Sequence, residues 1–255
     1  MPELLFHREH SDSGEPLVIL HGLFGSSKNW FSLAEKLAAK YHVYTVDLRN
    51  HGESFHADSH APLELATDLH NWLAAQNLKN VHLLGHSMGG ITAMLFALHW
   101  PQLVQSLVVI DISPRAYEVD YSKEFAALSI DLSQLKSRQE IDAAMAEHID
   151  DLGLRQFLAT NIGRNENGYF WRVNVATLKK EREMGSVDFV AENKTYDGPT
   201  LFLRGGASKF MTDDDSDIIK KHFPRAEISI IEGAGHWLHH SHGPAFLQEV
   251  QSFLP

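Results

Sequence analysis

Ser87 stands in a context that could make it a nucleophile. It lies at the centre of the pattern GHSMG, residues 85–89, which follows an apolar run at 81–84 and precedes a helical pattern at 89–99. Glycines on either side of a serine allow the tight strand-to-helix turn that projects the hydroxyl. The first amides of the following helix favour negative charge nearby. The pattern predicts a serine that attacks a carbonyl carbon, with a purely structural turn as the competing interpretation.

Such a nucleophile needs hydrogen-bond donors for the oxyanion that forms when it attacks. The loop HGLFG at residues 21–25 follows the apolar run 16–20, and its glycines would let the backbone approach a reacting carbonyl. We predict that the backbone amides of Leu23 and Met88 are the donors. His21 is interpreted as a residue that supports this loop through hydrogen bonds rather than as an acid or base.

The segments that would position these residues alternate between strand and helix patterns. Strand-like runs occur at 16–20, 43–46, 81–84, 107–110, 199–203 and 228–231, and helical patterns occur at 29–40, 63–76, 89–99, 213–222 and 245–253. Short apolar runs between amphipathic helices are typical of a buried parallel sheet. The alternation predicts the α/β class with a mostly parallel, doubly wound sheet.

The alternation stops between residues 115 and 197. No strand-like run is recognisable there, and helical patterns at 140–151 and 154–159 are separated by polar turns. We predict a helical cap or lid at 115–197 that is inserted after the strand following Ser87. Residues 1–114 and 198–255 would then form one core.

Several motifs together resemble the α/β-hydrolase family over nearly the whole chain. They are, in order, HGLFGS at 21–26, DLRNHGES at 47–54, GHSMGG at 85–90, VIDISP at 109–114 and GAGHW at 233–237. The combination is similar to the small bacterial YbfF-type esterases and their mitochondrial relatives. One departure is Asn50, where many members of the family have glycine. The resemblance implies an α/β-hydrolase fold and a Ser-His-Asp mechanism.

The chain contains 17 histidines, and His236 is the one that lies in the family's late loop motif. The order of the family's triad along the chain, serine then acid then histidine, also requires a histidine in this region. We predict that His236 is the general base.

The position of the acid departs from the usual pattern of the family. Most α/β-hydrolases carry it after the next-to-last strand, where this chain has Ser208. Asp111 ends the apolar run 107–110, at the same predicted sheet edge as Ser87, and a buried carboxylate there needs a partner. The YbfF-type resemblance also implies an acid on this earlier strand. We predict that Asp111 orients His236, and the acidic run at 213–217, which fits a helix start, remains the alternative.

Aromatic and apolar residues of the cap could line an acyl pocket or form the cap's own core, and the sequence does not decide between these. They are Phe125, Leu128, Phe157, Tyr169, Phe170, Trp171 and Val175. The residues predicted to contact substrate are His21, Phe24, His86, Phe157, Trp171 and Trp237.

Composition limits the other classes of function. The net charge is −11, which disfavours nucleic acid as a partner, and there are no cysteines for disulfides or thiol chemistry. No segment has the length and apolarity of a membrane span or a secretory signal, so we predict a cytoplasmic protein without a membrane partner, as a monomer or small homo-oligomer.

The predicted function is therefore a serine carboxylesterase that hydrolyses short to medium acyl esters through an acyl-enzyme, without metal or other cofactor. Hydrolysis of acyl-CoA or another thioester on the same triad is the alternative, and a non-catalytic sensor of small molecules is a third possibility. A metal site at either of two histidine groups is disfavoured, because neither group has a known metal-binding framework. These groups are His239, His240 and His242, and His51, His56 and His60 with Asp58.

Overall fold

The computed structural model describes residues 3–181 and 189–255. Its large sheet contains β1 (His7–Glu9), β2 (Glu15–Leu20), β3 (Tyr41–Val46), β4 (Val81–His86), β5 (Val104–Ile110), β8 (Thr200–Gly205) and β9 (Ala226–Ile231). A separate antiparallel pair contains β6 (Ile162–Asn165) and β7 (Gly168–Trp171). The order in the large sheet is β1-β3-β2-β4-β5-β8-β9, and only β1 runs antiparallel to its neighbour. The mostly parallel sheet predicted from the sequence is confirmed, with β1 as an addition.

Helices cover both faces of the sheet. In chain order they are α1 (Phe31–Leu37), α2 (Pro62–Ala75), α3 (Met88–His99), α4 (Ser122–Ala127), α5 (Arg138–Ala146), α6 (Leu152–Ala159), α7 (Val175–Lys180), α8 (Phe189–Glu192), α9 (Ser216–His222), α10 (Leu238–Ser241) and α11 (Gly243–Phe253). None of the helices in the described ranges is long and apolar enough to cross a lipid bilayer.

The side-chain alternation of β2 shows why the sheet needs helices on both sides. Leu17 and Ile19 pack in a cluster with residues of α1, α10 and α11, whereas Val18 and Leu20 pack in a cluster with residues of α2, α3 and α9. All four are fully buried, because successive residues of a strand point to opposite faces. Burial contributes about 1.5–3 kcal/mol for each such side chain.

The helix that follows Ser87 lies in the centre of the molecule. α3 is apolar on every side, and its residues from Met88 to Leu98 are buried. A helix that is hydrophobic all round is stable only when it is enclosed by other elements. α2 covers it on the outside, beginning with Pro62 in its first turn, where the missing N–H costs nothing. The turn before α3 is thus held on a rigid support.

We call the chain between β5 and β8 the insert, of which residues 111–181 and 189–199 are described. Its own apolar core contains residues of α4, α5, α6 and α7 together with Phe24 from the loop that follows β2. The prediction that this region contains no strands was wrong, because β6 and β7 form a hairpin. Its turn, residues 165–168, is polar and ends in Gly168 at φ 111°, and each strand has only four residues, too few for the periodicity to reveal it.

Candidate active site

The turn at Ser87 is tight. The residue has φ 52° and ψ −116°, and its amide donates to Ile110 O at 3.1 Å. A Cβ on Gly85 would lie 2.2 Å from Gly89 O, and one on Gly89 would lie 2.6 Å from Leu20 O. Only glycine fits at either position, so the spacing of the GHSMG motif follows directly from the geometry of the turn. Strain of this kind at a non-glycine residue is typical of functional sites.

Asp111 follows β5 and is fully buried beside His236. Asp111 Oδ2 lies 2.7 Å from His236 Nδ1, and Oδ1 accepts from the amide of Gly205 at 2.9 Å. The backbone of Asp111 has φ 50°, and its amide donates to Leu203 O at 2.8 Å. The bond to Asp111 places the proton on Nδ1 and leaves Nε2 of His236 free to accept one.

Ser208 is the side chain in the position where most of the family has its acid. Its hydroxyl donates to Asp111 Oδ2, the same oxygen that contacts His236, and accepts from the amide of Phe210 at 3.2 Å. The sequence identified this position as lacking a carboxylate but did not predict that its serine would contact Asp111. Phe210 in turn stacks on the His236 ring, with centroids 3.9 Å apart.

The competing acidic run at 213–217 has structural partners. Asp215 accepts from the amide of Thr212 at 2.8 Å and forms an ion pair with Arg115 at 2.8 Å, and Asp213 pairs with Arg204. The contact with Thr212 caps the start of α9, and the ion pair with Arg115 attaches α9 to the insert. His236 contacts Asp111 and none of these carboxylates within the described part of the chain.

Sheet order explains how three distant segments meet. β4 and β5 are neighbours, and Ser87 and Asp111 follow them at the same edge. β8 comes next and β9 last, so the loop after β9 must pass back over the end of β8 to bring His236 to Asp111. Ser87 and His236 border one cavity, although no hydrogen bond joins their side chains in the described structure. Catalytic hydrogen bonds of this kind often form only with substrate present.

The two predicted oxyanion donors border a cavity with Ser87. Leu23 and Met88 both line it, and within the described residues neither of their amides donates to a protein group. A Cβ on Gly22 would lie 3.3 Å from Ser87 Cβ, which shows how closely the loop approaches the serine.

Two buried histidines hold this loop in place. His21 Nδ1 donates to Gly22 O at 2.8 Å, and its Nε2 accepts from the amide of Leu48 at 3.0 Å. His51 Nδ1 donates to Arg49 O at 3.0 Å, and its Nε2 accepts from the amide of Phe24 at 3.2 Å. The sequence predicted the supporting role of His21 and missed that of His51.

Burial lowers the pKa of His21 and places the pKa of His51 well below its usual value. Both rings are therefore neutral at neutral pH, as their hydrogen bonds to backbone amides require. His86, which donates from Nε2 to His236 O at 2.9 Å, also has a pKa well below normal because it is buried. A neutral His86 adds no positive charge beside His236.

Asn50 connects the core to the insert. It has φ 65°, a conformation that suits glycine and, among other residues, asparagine. Its Oδ1 accepts from the amide of Ala57 at 2.8 Å and from Asn174 Nδ2 at 3.0 Å, and its Nδ2 donates to Ser59 O at 3.0 Å. The departure from the family motif at this position thus adds contacts that glycine could not make.

Two cavities meet at Ser87. The smaller cavity, about 90 Å³, is also bordered by Met88, Ile91, Ile112 and Leu178. The larger cavity, about 290 Å³, is also bordered by His236, Asn29, Trp30 and His239. Residues common to both are Leu23, Ser87, Val119, Asp120, Tyr121 and Phe210.

The residues predicted to contact substrate divide between these cavities and the insert's core. Those that border the larger cavity are His21, Phe24, His86, Phe157 and Trp237. Trp171 does not border either cavity. It packs in the insert and donates from Nε1 to Ile130 O at 3.3 Å, because the hairpin turns its ring inward.

The other aromatic and apolar residues of the insert also lie in different environments. Phe125 borders the smaller cavity. Leu128, Tyr169 and Val175 pack in the insert's core, and Phe170 is exposed on the hairpin. The sequence left open whether this set lines a pocket or forms a core, and the structure assigns most of it to the core.

The two histidine groups named above do not form metal sites in the described part of the chain. His51 uses both ring nitrogens on the backbone, and His56 Nε2 donates to Arg172 O at 2.8 Å. Across residues 3–181 and 189–255 no group of three or more histidine, aspartate or glutamate side chains is arranged to hold a metal ion.

Comparison with known proteins agrees with this architecture. The model of the α/β-hydrolase fold family matches residues 15–243. The chain is 36% identical over 247 residues to the sn-1-specific diacylglycerol lipase ABHD11 of Mus musculus, covering 93% of this chain and 80% of that protein. It is 34% identical over 250 residues to Esterase YbfF of Escherichia coli, covering 96% of this chain and 94% of the other.

A solved structure described as a marine microorganism esterase superposes with a TM-score of 0.93 at 42% identity, over 99% of this chain and all of the other. The family match, the alignments with these relatives and the superposition each extend over nearly the whole sequence. The chain therefore belongs to the α/β-hydrolase family and is a hydrolase.

Proposed function

We propose that this chain is a serine carboxylesterase in which Ser87 attacks, His236 transfers the proton and Asp111 orients His236. The observation that carries the proposal is the contact of 2.7 Å between His236 Nδ1 and Asp111 Oδ2, at the edge of a cavity that both Ser87 and His236 border. Esterase and lipase names among the relatives support the same reaction class.

The reaction has two halves. His236 Nε2 takes the hydroxyl proton as Ser87 Oγ bonds to the ester carbonyl carbon, and the amides of Leu23 and Met88 stabilise the oxyanion. His236 then gives the proton to the departing alcohol, and the acyl group remains on Ser87. Water attacks this acyl-enzyme with His236 again as the base, which releases the acid and restores the serine.

Charge in the cavities favours neutral esters over coenzyme A thioesters. Among the described residues no lysine or arginine borders either cavity, whereas Asp120, Glu124 and Glu181 do. The whole chain has a net charge of −11. A phosphate-bearing leaving group would thus enter a negative field without a cation to pair with.

The smaller cavity limits the acyl chain. Its volume of about 90 Å³ is below the ~150 Å³ of an apolar cavity that binds benzene. We therefore expect acyl groups of a few carbons to fit best. Turnover of p-nitrophenyl esters should be highest for acetate to butyrate and fall for octanoate and longer chains.

The test is hydrolysis of this ester series by the wild type, by Ser87→Ala and by Ser32→Ala, a control that removes a hydroxyl from an exposed site on α1. We expect Ser87→Ala to be inactive and unlabelled by a fluorophosphonate, and Ser32→Ala to match the wild type. Hydrolysis by Ser87→Ala at the wild-type rate would refute the serine mechanism. A wild type that neither turns over esters nor reacts with the probe would favour a binding role.

A further inference from the structure

The two cavities at Ser87 can be assigned to the two parts of an ester if the proposed function holds. A general acid must lie within hydrogen-bond reach of the leaving oxygen. His236 borders the larger cavity and not the smaller one, whereas Met88, an oxyanion donor, borders the smaller one. The alcohol part of the substrate therefore lies in the larger cavity, and the acyl part in the smaller one.

The larger cavity is bordered by a polar side chain that the mechanism does not use. His239 is 7% exposed, and its ring stacks on Trp30 with centroids 4.4 Å apart and planes at 8°. Its Nδ1 is buried without a hydrogen-bond partner in the described structure. Its Nε2 also has no partner among the described residues, but this atom is not fully buried. Nε2 is therefore the ring nitrogen that a group in the cavity can reach.

Burial lowers the pKa of His239 to about 3, with a further contribution from the charge of His236. The ring is therefore neutral at neutral pH and has one donor and one acceptor nitrogen. A group in the cavity can pair with Nε2, which is not enclosed, whereas Nδ1 keeps no partner.

Asn29 supplies a second polar group on the wall of the larger cavity. It precedes Trp30 in the chain and borders the larger cavity with it and with His239. Its Oδ1 accepts from the amide of Ser26 at 2.7 Å, which fixes the side-chain orientation. Its Nδ2 makes no hydrogen bond within the described part of the chain and remains a free donor.

We propose that the larger cavity binds an uncharged alcohol that carries a further hydroxyl, and that His239 and Asn29 recognise this hydroxyl. A hydroxyl both donates and accepts, so it can pair with a neutral imidazole in either tautomer while it accepts from an amide. The remaining walls of the cavity suit the carbon chain between the ester and the hydroxyl. They include the aromatic side chains of Phe24, Tyr121, Phe157, Phe210 and Trp237.

The test compares esters that differ by one hydroxyl. The substrates are 2-hydroxyethyl, 3-hydroxypropyl and 4-hydroxybutyl butyrate, each paired with the propyl, butyl or pentyl ester in which methyl replaces hydroxyl. The readout is the ratio of kcat/KM within each pair. We expect the wild type to favour one hydroxyl ester by about tenfold, equivalent to ~1.4 kcal/mol.

The variants are His239→Phe, which keeps an aromatic ring on Trp30, and Asn29→Ala, which removes the Nδ2 donor together with the acceptor for Ser26 and adds no other polar group. Each should bring the ratio close to one. His240→Phe, the same change at an exposed neighbour that borders neither cavity, should leave the ratio unchanged. Asn29→Ala also tests the proposal if His239→Phe does not fold.

A wild-type ratio near one for all three pairs, with esters hydrolysed, would overturn the recognition of a hydroxyl and leave the esterase proposal intact. A ratio that survives both substitutions would also overturn it, because the preference would then arise elsewhere. Failure of the wild type to hydrolyse any of the esters would instead refute the proposed function.

Discussion

Replacing Asp111 by asparagine is the most direct test of the proposed triad. The position has φ 50°, which asparagine tolerates better than alanine, so the backbone need not change. The carboxylate accepts on both oxygens, from Gly205 N at 2.9 Å on Oδ1 and from Ser208 and His236 on Oδ2. An amide has one oxygen, and its NH₂ must replace one of these acceptors.

Either orientation of the asparagine is unfavourable. With NH₂ at the Oδ1 position it opposes the amide of Gly205, and with NH₂ at the Oδ2 position it opposes the proton on His236 Nδ1. The first leaves a buried donor unpaired at a cost of about 1–3 kcal/mol. The second favours the tautomer with the proton on Nε2, which cannot accept the proton of Ser87. Both remove the charge that balances the imidazolium.

We expect kcat to fall by up to about 10⁴-fold, which corresponds to ~5.4 kcal/mol of lost transition-state stabilisation. The assay is p-nitrophenyl butyrate hydrolysis, with thermal unfolding to confirm that the variant is folded. Ser208→Ala is the matched control, because it removes one hydrogen bond to Oδ2 and leaves the charge, so its loss should not exceed about tenfold. Near-wild-type turnover by a folded Asp111→Asn would show that another group orients His236.

Three further predictions concern the insert, pH and the acyl cavity. Asn50→Gly should lower the melting temperature and speed limited proteolysis of the insert. Asn77→Gly, the same change at an exposed site with φ 56°, should have neither effect. Equal effects of the two substitutions would refute the linking role of Asn50. Burial holds the pKa values of His60 and His239 at about 3 against 6.5 for the unfolded chain. The unfolded state therefore binds more protons than the folded state below pH 6.5. Each of these two histidines should lower the free energy of unfolding by about 1.4 kcal/mol on going from about pH 7.5 to 5.5. Urea unfolding measures this loss, and a flat profile would contradict the expectation. Leu178→Ala, on the insert wall of the smaller cavity, should shift the preferred p-nitrophenyl ester to a longer acyl chain, and an unchanged optimum would place the acyl group elsewhere.

Local patterns in the sequence were sufficient for the parts of the molecule that depend on neighbouring residues. The GHSMG spacing predicts a tight turn, because the collisions it avoids are between residues at most four positions apart or with the adjacent strand. The parallel strands could also be predicted, since burial on both faces demands continuous apolar runs. The short β6–β7 hairpin could not, because four residues per strand leave too little periodicity.

Contacts between distant segments were decided by the tertiary structure. The sequence indicates that Ser208 replaces the usual acid and that Asp111 ends a strand, but only the order β4-β5-β8-β9 brings both Ser208 and His236 into contact with Asp111. The separation of Phe157 from Trp171, one on the cavity and one in the insert's core, likewise depends on how the hairpin packs. Sequence determines residue types and local turns, whereas the position of a buried side chain depends on which elements the whole fold brings against it.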